Sequence, residues 1–192
     1  LIQRIDMWVI DTLFAALHEH RPAFSPASHP HVNVNLSGGS FSDTRVADHV
    51  HRRLQAFSVD PTRVAFEITE TAAISNLATA KQFIQQIKSL GCRIALDDFG
   101  SGMSSLTYLK ELDIDYVKID GSFIHDIESN NLSQAIVRAI VDIARLLGIR
   151  TVAEFATTQS IVERLCELGI CGVQGQAVGD PVPLEAFLAA AD

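Results

Sequence analysis

Cysteine is scarce in this chain of 192 residues, and the three that occur form no C-x-x-C pair: Cys92, Cys166 and Cys171. An odd number of unpaired cysteines disfavours a disulfide-stapled secreted domain, and we expect buried free thiols in a reducing cytosol. No apolar run approaches the roughly 20 residues that a membrane-spanning helix needs. No signal peptide is visible, so we expect a cytoplasmic domain. The sequence does not begin with Met, and a membrane-anchored parent protein is compatible with it.

Positive charge is also scarce, since 15 Lys and Arg stand against 23 Asp and Glu and the formal net charge is −8. A nucleic-acid polymer would meet a repulsive surface, which disfavours binding to long DNA or RNA. A small phosphate ligand is still compatible, because bound cations can reverse the local sign of the charge. The hydrophobic fraction of 47% is sufficient for one sizeable core, so we expect a single domain over residues 1–192.

Short β-runs alternate with helical patterns along the chain. Apolar residues recur at helical spacing in 1–17, 77–90 and 132–147, and further helices are predicted at 43–57, 104–109, 159–168 and after Pro183. Six β-runs lie between them: 31–36, 63–68, 92–97, 115–119, 150–153 and 170–174. This alternation predicts parallel strands with helical crossovers, arranged either as an open doubly wound sheet or as a closed barrel.

A polar residue stands at the carboxyl end of each of the six β-runs. In chain order these residues are Asn35, Glu67 with Glu70 beyond it, Asp97 with Asp98, Lys118 with Asp120, Glu154, and Gln174. A single acidic residue at a strand end is most often a helix N-cap, but six polar ends in register are hard to assign to caps. In a barrel they would converge on one mouth, where active sites lie. Buried carboxylates there are costly unless they are paired, hydrogen-bonded or bound to metal.

The residue types at these strand ends favour a hard divalent cation. Asn35, Glu67, Asp97 and Asp98 offer only oxygen atoms, which suit Mg²⁺ or Mn²⁺, with Ca²⁺ as a further option. Among the seven histidines only His31 belongs to these β-runs, and it begins one rather than ending it. A histidine-rich zinc site is therefore disfavoured.

Two neighbouring aspartates allow a site with two metal ions. Asp97 and Asp98 either face different ions, or one of them bridges a pair. Two ions would suit in-line displacement at a phosphodiester. Lys118 would then either neutralise a phosphate oxygen or hold the water nucleophile, and Glu154 would act as the general base.

The segment 97–106 carries two glycines and three serines directly after a β-run, which is typical of a flexible phosphate-binding loop. A kinase interpretation of its Asp-Phe-Gly fails, because no glycine-rich loop and no His-Arg-Asp segment accompany it. The G-x-G-x-x-G fingerprint of dinucleotide binding is absent as well.

Seven segments together resemble one known family, in the order in which that family has them. They are Val34–Ser37, Phe66–Glu70, Ala95–Gly102, Ser104–Leu106, Tyr116–Phe123, Val152–Glu154 and Val173–Gly175. Each is weak alone, but the ordered set is specific and runs across nearly the whole chain. The chain is similar to the EAL-domain family of cyclic di-GMP phosphodiesterases.

The resemblance implies a TIM-like (β/α)₈ barrel that hydrolyses cyclic di-GMP to pGpG with two Mg²⁺ or Mn²⁺ ions. It implies a role for each polar strand end. Asn35, Glu67 and Asp97 would bind metal, and Asp98 would serve the second ion. Lys118 and Glu154 would hold the nucleophilic water, while Ser101, Asp120 and Gln174 would contact substrate or the metal and water network. Glu70 would anchor the loop that begins at Asp98. It also implies a homodimer, and a sensory or GGDEF-type domain upstream in a parent protein.

The chain departs from the family pattern in two places. The Glu-Ala-Leu tripeptide is absent, so we expect about six βα units here, with two N-terminal strands and one glutamate ligand missing. The family usually has Glu-Gly-Val-Glu-Thr where this chain has Glu154–Thr158, so Phe155 replaces a glycine and Thr157 an acidic residue.

These departures keep three functions open. The leading interpretation is a metal-dependent phosphodiesterase, which the retained strand-end residues support. The second is a catalytically weak receptor domain that binds cyclic di-GMP, which the changes at Phe155 and Thr157 favour slightly. The third is a purely structural interaction module, which would not need this set of acidic residues.

Overall fold

The structure is a computed structural model that describes residues 1–19, 32–41, 43–100 and 108–191. Its α-helices are Ile2–Glu19 (α1), Thr44–Phe57 (α2), Glu70–Ser75 (α3), Leu77–Ser89 (α4), Asn131–Leu146 (α5), Gln159–Glu167 (α6) and Leu184–Ala191 (α7). Its strands are Val32–Asn35 (β1), Val64–Thr69 (β2), Arg93–Phe99 (β3), Tyr116–Ile119 (β4), Arg150–Ala153 (β5) and Gly172–Val173 (β6). Within these described residues, no helix combines the length and apolar character needed to cross a membrane.

The six strands follow chain order in the sheet, β1-β2-β3-β4-β5-β6. The pairs β1–β2, β3–β4, β4–β5 and β5–β6 are parallel. Parallel neighbours in chain order need crossovers, and helices supply most of them. The prediction of alternating strands and helices with a parallel sheet is therefore confirmed.

The chain divides into two compact units. The first unit comprises Leu1–Ile68, Ser75–Ile94 and Pro181–Asp192, and the second comprises Thr69–Ile74 and Ala95–Asp180. The expectation of one domain over the whole chain stays a prediction.

In the first unit, α1 packs on α2 and carries a buried carboxylate. The helix is confirmed, and Ile10, Phe14 and Leu17 form its buried apolar stripe. Asp6 is also buried, and its Oδ2 accepts hydrogen bonds from Ser37 N at 3.0 Å, Ser37 Oγ at 2.7 Å and Ser40 Oγ at 2.5 Å. Asp6 therefore ties α1 to the turn that follows β1.

In the second unit, β4 lies between β3 and β5, and β5 lies between β4 and β6. The loop before α5 is held by side chains that accept hydrogen bonds. Asn130 caps α5 by accepting from the N–H groups of Leu132 and Ser133. Asp126 accepts from Asn130 Nδ2 at 2.6 Å and from Ser133 Oγ at 2.7 Å.

Several details differ from the sequence predictions. The helix α3 was not predicted, since its six residues are too few to show a helical period. The helix predicted at 104–109 falls mainly on 101–107, outside the described residues, and a short 3-10 turn covers Leu109–Glu111. Strand β3 continues to Phe99, so Asp97 is not its last residue and Asp98 lies inside it rather than after it.

The expectation of buried thiols is correct for Cys92 only, because Cys166 and Cys171 are exposed. On α6 the buried face is formed by Ile161 and Leu165. Cys166 follows Leu165 by one residue, and one step along a helix turns a side chain by about 100° away from that face. The prediction is therefore wrong for Cys166 and Cys171.

Candidate active site

A buried lysine lies between two carboxylates in the second unit. Lys118 Nζ is 2.9 Å from Asp97 Oδ1 and 2.7 Å from Glu154 Oε1. Lys118 is 4% exposed and Glu154 is 7% exposed. The residues come from β3, from β4 and from the end of β5, which are neighbours in the parallel sheet. The sequence placed all three at strand ends, and the fold brings them together.

A bulge in β3 adds a third carboxylate to this group. Leu96 pairs with Val117 and Phe99 with Ile119, so β3 has one residue more than β4 over this stretch. Asp98 has a φ of 55°, in the left-handed region. Successive side chains of a regular strand point to opposite faces, and a bulge interrupts that alternation. Carboxylate oxygens of Asp97, Asp98 and Glu154 consequently lie within 4.8 Å of one another.

The electrostatics of the group fit a divalent cation. Burial raises the pKa of Asp98, as do the charges of Asp97 and Asp120, while Lys118 acts in the opposite direction. Asp97 Oδ1 is buried and close to Lys118 Nζ, yet it makes no hydrogen bond with the described residues. One lysine is therefore surrounded by a cluster of three carboxylates. Clustered carboxylate oxygens are the donors that Mg²⁺ and Mn²⁺ prefer.

The start of the loop after β3 is bonded to Glu70. Glu70 begins α3 and is buried, and its Oε2 accepts a hydrogen bond from Gly100 N at 2.9 Å. Gly100 has a φ of 98° and lies against Phe123, since an added Cβ would be 2.5 Å from Phe123 Cε2. The anchoring role predicted for Glu70 and its effect on metal binding both stay predictions.

The other predicted residues of the second unit have separate positions. Asp120 follows β4, where its N–H donates to Phe99 O at 3.2 Å and its side chain accepts from Ser122 N at 2.9 Å. Gln174 has an exposed side chain, and its N–H donates to Ala153 O at 2.8 Å. Ser101 lies outside the described residues.

In the first unit, the two predicted metal ligands lie on neighbouring strands, Asn35 at the end of β1 and Glu67 within β2. Asn35 and Glu67 are partners in the register of β1 and β2. Asn33 Nδ2 donates to Glu67 Oε1 at 2.6 Å. Sequence reasoning missed Asn33, although its position two residues before Asn35 puts both side chains on one face of the strand.

An EAL domain family model matches residues 1–181 of the chain. The chain belongs to the EAL domain family. This confirms the resemblance inferred from the motifs.

Relatives of this EAL chain include two named phosphodiesterases. The cyclic di-GMP phosphodiesterase PdeB of Shewanella oneidensis is 44% identical over 156 residues, which is 81% of this chain and 18% of PdeB. The bifunctional diguanylate cyclase/cyclic di-GMP phosphodiesterase MucR of Pseudomonas aeruginosa is 36% identical over 191 residues, 98% of this chain and 27% of MucR. The chain thus spans less than a third of the length of these curated relatives.

Solved structures of EAL proteins share the fold. The MucR phosphodiesterase in complex with c-di-GMP has a TM-score of 0.86 at 33% identity, covering 96% of this chain and 74% of that one. Klebsiella pneumoniae BlrP1, in a complex with manganese and c-di-GMP, has a TM-score of 0.81 at 29% identity, covering 90% of this chain and 43% of that one. The predicted fold class, a TIM-like α/β barrel domain present as about six βα units, is confirmed.

One residue of this EAL chain has an unusual backbone beside the carboxylates. Phe155 follows Glu154 directly, has a φ of 56° and is 56% exposed. The left-handed region costs a non-glycine residue on the order of 1–3 kcal/mol, so the surrounding structure must hold Phe155 there. The departure noted in the sequence therefore falls on a position where glycine would be unstrained.

Proposed function

We propose that this chain is the catalytic domain of a metal-dependent phosphodiesterase that hydrolyses cyclic di-GMP to pGpG. The observation that carries the proposal is the buried lysine Lys118 among the carboxylates of Asp97, Asp98 and Glu154. Relatives that carry the same domain are named cyclic di-GMP phosphodiesterases, and solved EAL domains hold that nucleotide. A purely structural module would have no use for this costly set of buried charges.

The carboxylates would hold the metal. Asp97 and Asp98 offer clustered oxygen ligands, and Asn35 and Glu67 are proposed as metal ligands as well. We propose Mg²⁺ or Mn²⁺, two ions in all. A divalent ion in such a site stabilises negative charge on phosphoryl oxygens and lowers the pKa of bound water.

The protein groups would handle the proton and the phosphate charge. Glu154 takes a proton from the attacking water as the oxygen bonds to phosphorus and the phosphorus–O3′ bond breaks. The proton returns to the 3′-oxygen that leaves, and the product is linear pGpG. Lys118, 2.7 Å from Glu154 Oε1, orients that carboxylate and neutralises charge on the phosphate. Asp120, Ser101 and Gln174 are proposed to contact substrate, and Glu70 to couple the loop after β3 to the metal.

The surroundings of the domain are part of the proposal. We propose a cytoplasmic homodimer that belongs to a longer protein with a sensory or GGDEF-type domain. The relative MucR is named as a bifunctional diguanylate cyclase/cyclic di-GMP phosphodiesterase, and this chain covers 27% of it.

The test is product analysis with purified protein, cyclic di-GMP and Mg²⁺ or Mn²⁺. We expect pGpG to form with metal and to vanish with EDTA. Glu154→Gln should lower turnover by about 10²-fold or more while it keeps nucleotide binding. Glu163→Gln is the matched control, because Glu163 is an exposed glutamate on α6 and its loss should leave turnover unaffected.

The receptor function is the second candidate, and the strained Phe155 beside the proposed base favours it. Nucleotide binding without pGpG at any metal concentration would overturn the enzyme and support the receptor. Absence of binding would overturn both.

A further inference from the structure

The ring of Phe155 packs against defined neighbours in the second unit. A Cβ added to Gly121 would lie 2.5 Å from Phe155 Cδ2 and 2.9 Å from Cγ, so the ring rests directly on the backbone of Gly121. The ring centroid also lies 6.2 Å from that of His125, at an interplanar angle of 40°. The ring is thus positioned by a glycine and an imidazole, and more than half of the residue stays open to solvent.

Burial of apolar area does not explain this arrangement. A phenylalanine that served the core would be buried, and Phe155 is not. If the position were only a surface turn, glycine would adopt its φ of 56° with less strain than phenylalanine does. Strained backbone of this kind is concentrated at active sites and ligand-binding sites, where it places a side chain in position to contact the ligand. The neighbour on the amino side, Glu154, is in the carboxylate group, so the ring stands one residue from the proposed chemistry.

We propose that Phe155 is a stacking platform for one guanine base of the nucleotide substrate. The inference rests on the proposed function, and it adds a specificity residue that the strand-end pattern does not contain. Aromatic side chains bind bases through their faces, and Phe155 is 56% exposed. The nucleotide has two bases flanking its phosphodiesters, so a phosphate at Lys118 and Glu154 leaves a base free to reach the ring.

The kinetic test uses two substitutions of this residue. Phe155→Leu keeps an apolar side chain but removes the π face, and Phe155→Trp keeps the face. We expect Phe155→Leu to raise KM for cyclic di-GMP roughly 10-fold, with a much smaller change in kcat, and Phe155→Trp to restore KM. Phe187→Leu is the matched control, because Phe187 is an exposed phenylalanine on α7 whose loss should leave both constants unaffected. A KM for Phe155→Leu within twofold of the wild type would overturn the inference.

A spectroscopic test gives a readout that a structural role would not change. Trp8 is the only tryptophan in the sequence, so the double variant Trp8→Phe, Phe155→Trp has a single indole at the platform. Cyclic di-GMP without metal should quench its emission if a guanine stacks on it, whereas the nucleotide should leave the emission of wild-type Trp8 unchanged. Unchanged emission at saturating nucleotide would overturn the platform.

The outcomes separate the two proposals. A wild type that forms no pGpG but binds nucleotide overturns the phosphodiesterase, and the emission titration then still decides the platform. A wild type that hydrolyses cyclic di-GMP with unchanged KM after Phe155→Leu upholds the enzyme and overturns the platform.

Discussion

Lys118 Nζ lies 2.7 Å from Glu154 Oε1, and both side chains are almost fully buried. Replacing Lys118 by Met would leave Glu154 and Asp97 without their buried cation. Breaking a buried pair in this way costs roughly 3–5 kcal/mol. We expect the free energy of unfolding of metal-free protein to fall by about that amount, measured by urea denaturation. Saturating Mn²⁺ should recover part of the loss, since an ion bound to the native state stabilises it.

The control for Lys118 is Lys110→Met. Lys110 is exposed in the 3-10 turn Leu109–Glu111, and its substitution should change stability by no more than about 0.5 kcal/mol. Equal stability of Lys118→Met and Lys110→Met would contradict the prediction, as would a Lys118→Met variant whose stability is insensitive to Mn²⁺.

The bond from Gly100 N to Glu70 Oε2 gives a second prediction. In Glu70→Ala the Gly100 N–H loses its acceptor, which costs on the order of 1–3 kcal/mol when the group is shielded from water. Glu70→Gln keeps a side-chain oxygen and should lose less. Hydrogen exchange of the Gly100 amide should accelerate in Glu70→Ala and much less in Glu70→Gln. Exchange at the wild-type rate in Glu70→Ala would show that the bond does not hold the loop, and Glu128→Ala, at an exposed glutamate, is the control.

The secondary structure was largely predictable, because helices such as α4 and α5 and strands such as β4 and β5 show their periods in the sequence. The polar residues near the strand ends were also predictable, because each follows an apolar run in the sequence. Parallel strands bring their carboxyl ends to one edge of the sheet. The bulge at Asp98 was not predictable. Its left-handed backbone is selected by pairing between β3 and β4, and a sequence pattern with a period of two residues contains no sign of it.

Contacts between distant segments were also beyond the sequence pattern. The hydrogen bond from Asn33 to Glu67 depends on the register of β1 against β2. The exposure of Cys166 depends on which face of α6 is packed, and a small, weakly polar side chain gives no indication of that face.

The buried Asp6 carboxylate gives a prediction for the first unit. Asp6→Ala removes the acceptor shared by Ser37 N, Ser37 Oγ and Ser40 Oγ. Hydrogen bonds to a charged group contribute roughly 1.5–3 kcal/mol, so we expect a loss of at least that size in urea denaturation. Asp48→Ala should have a small effect, because Asp48 is exposed on α2. A loss no larger for Asp6→Ala than for Asp48→Ala would show that the turn does not depend on Asp6.

Thiol labelling tests the environment of the three cysteines. Burial raises the pKa of the Cys92 thiol to about 12, and the charge of Asp60 acts in the same direction. At pH 8 the thiol of Cys92 is therefore protonated and shielded, and an aromatic disulfide reagent should label only Cys166 and Cys171. Urea should release the third thiol. Three fast-reacting thiols in the folded protein would contradict this prediction. In Cys92→Ala two thiols should still react fast and no further thiol should appear in urea, which identifies Cys92 as the slowly reacting thiol.

The last prediction concerns acid stability and Asp126. Its hydrogen bonds from Asn130 and then from Ser133 lower the pKa of the Asp126 carboxyl. A lowered native pKa adds stability that is fully present above the unfolded value of about 3.9 and is lost as the pH falls through the lower native value. Asp126→Asn should therefore lower Tm at pH 7, and the difference from wild type should shrink toward pH 2. Asp180→Asn, at an exposed aspartate, should follow the wild type at both pH values. A Tm difference for Asp126→Asn that stays constant from pH 7 to pH 2 would mean that the charge of Asp126 does not stabilise the loop before α5.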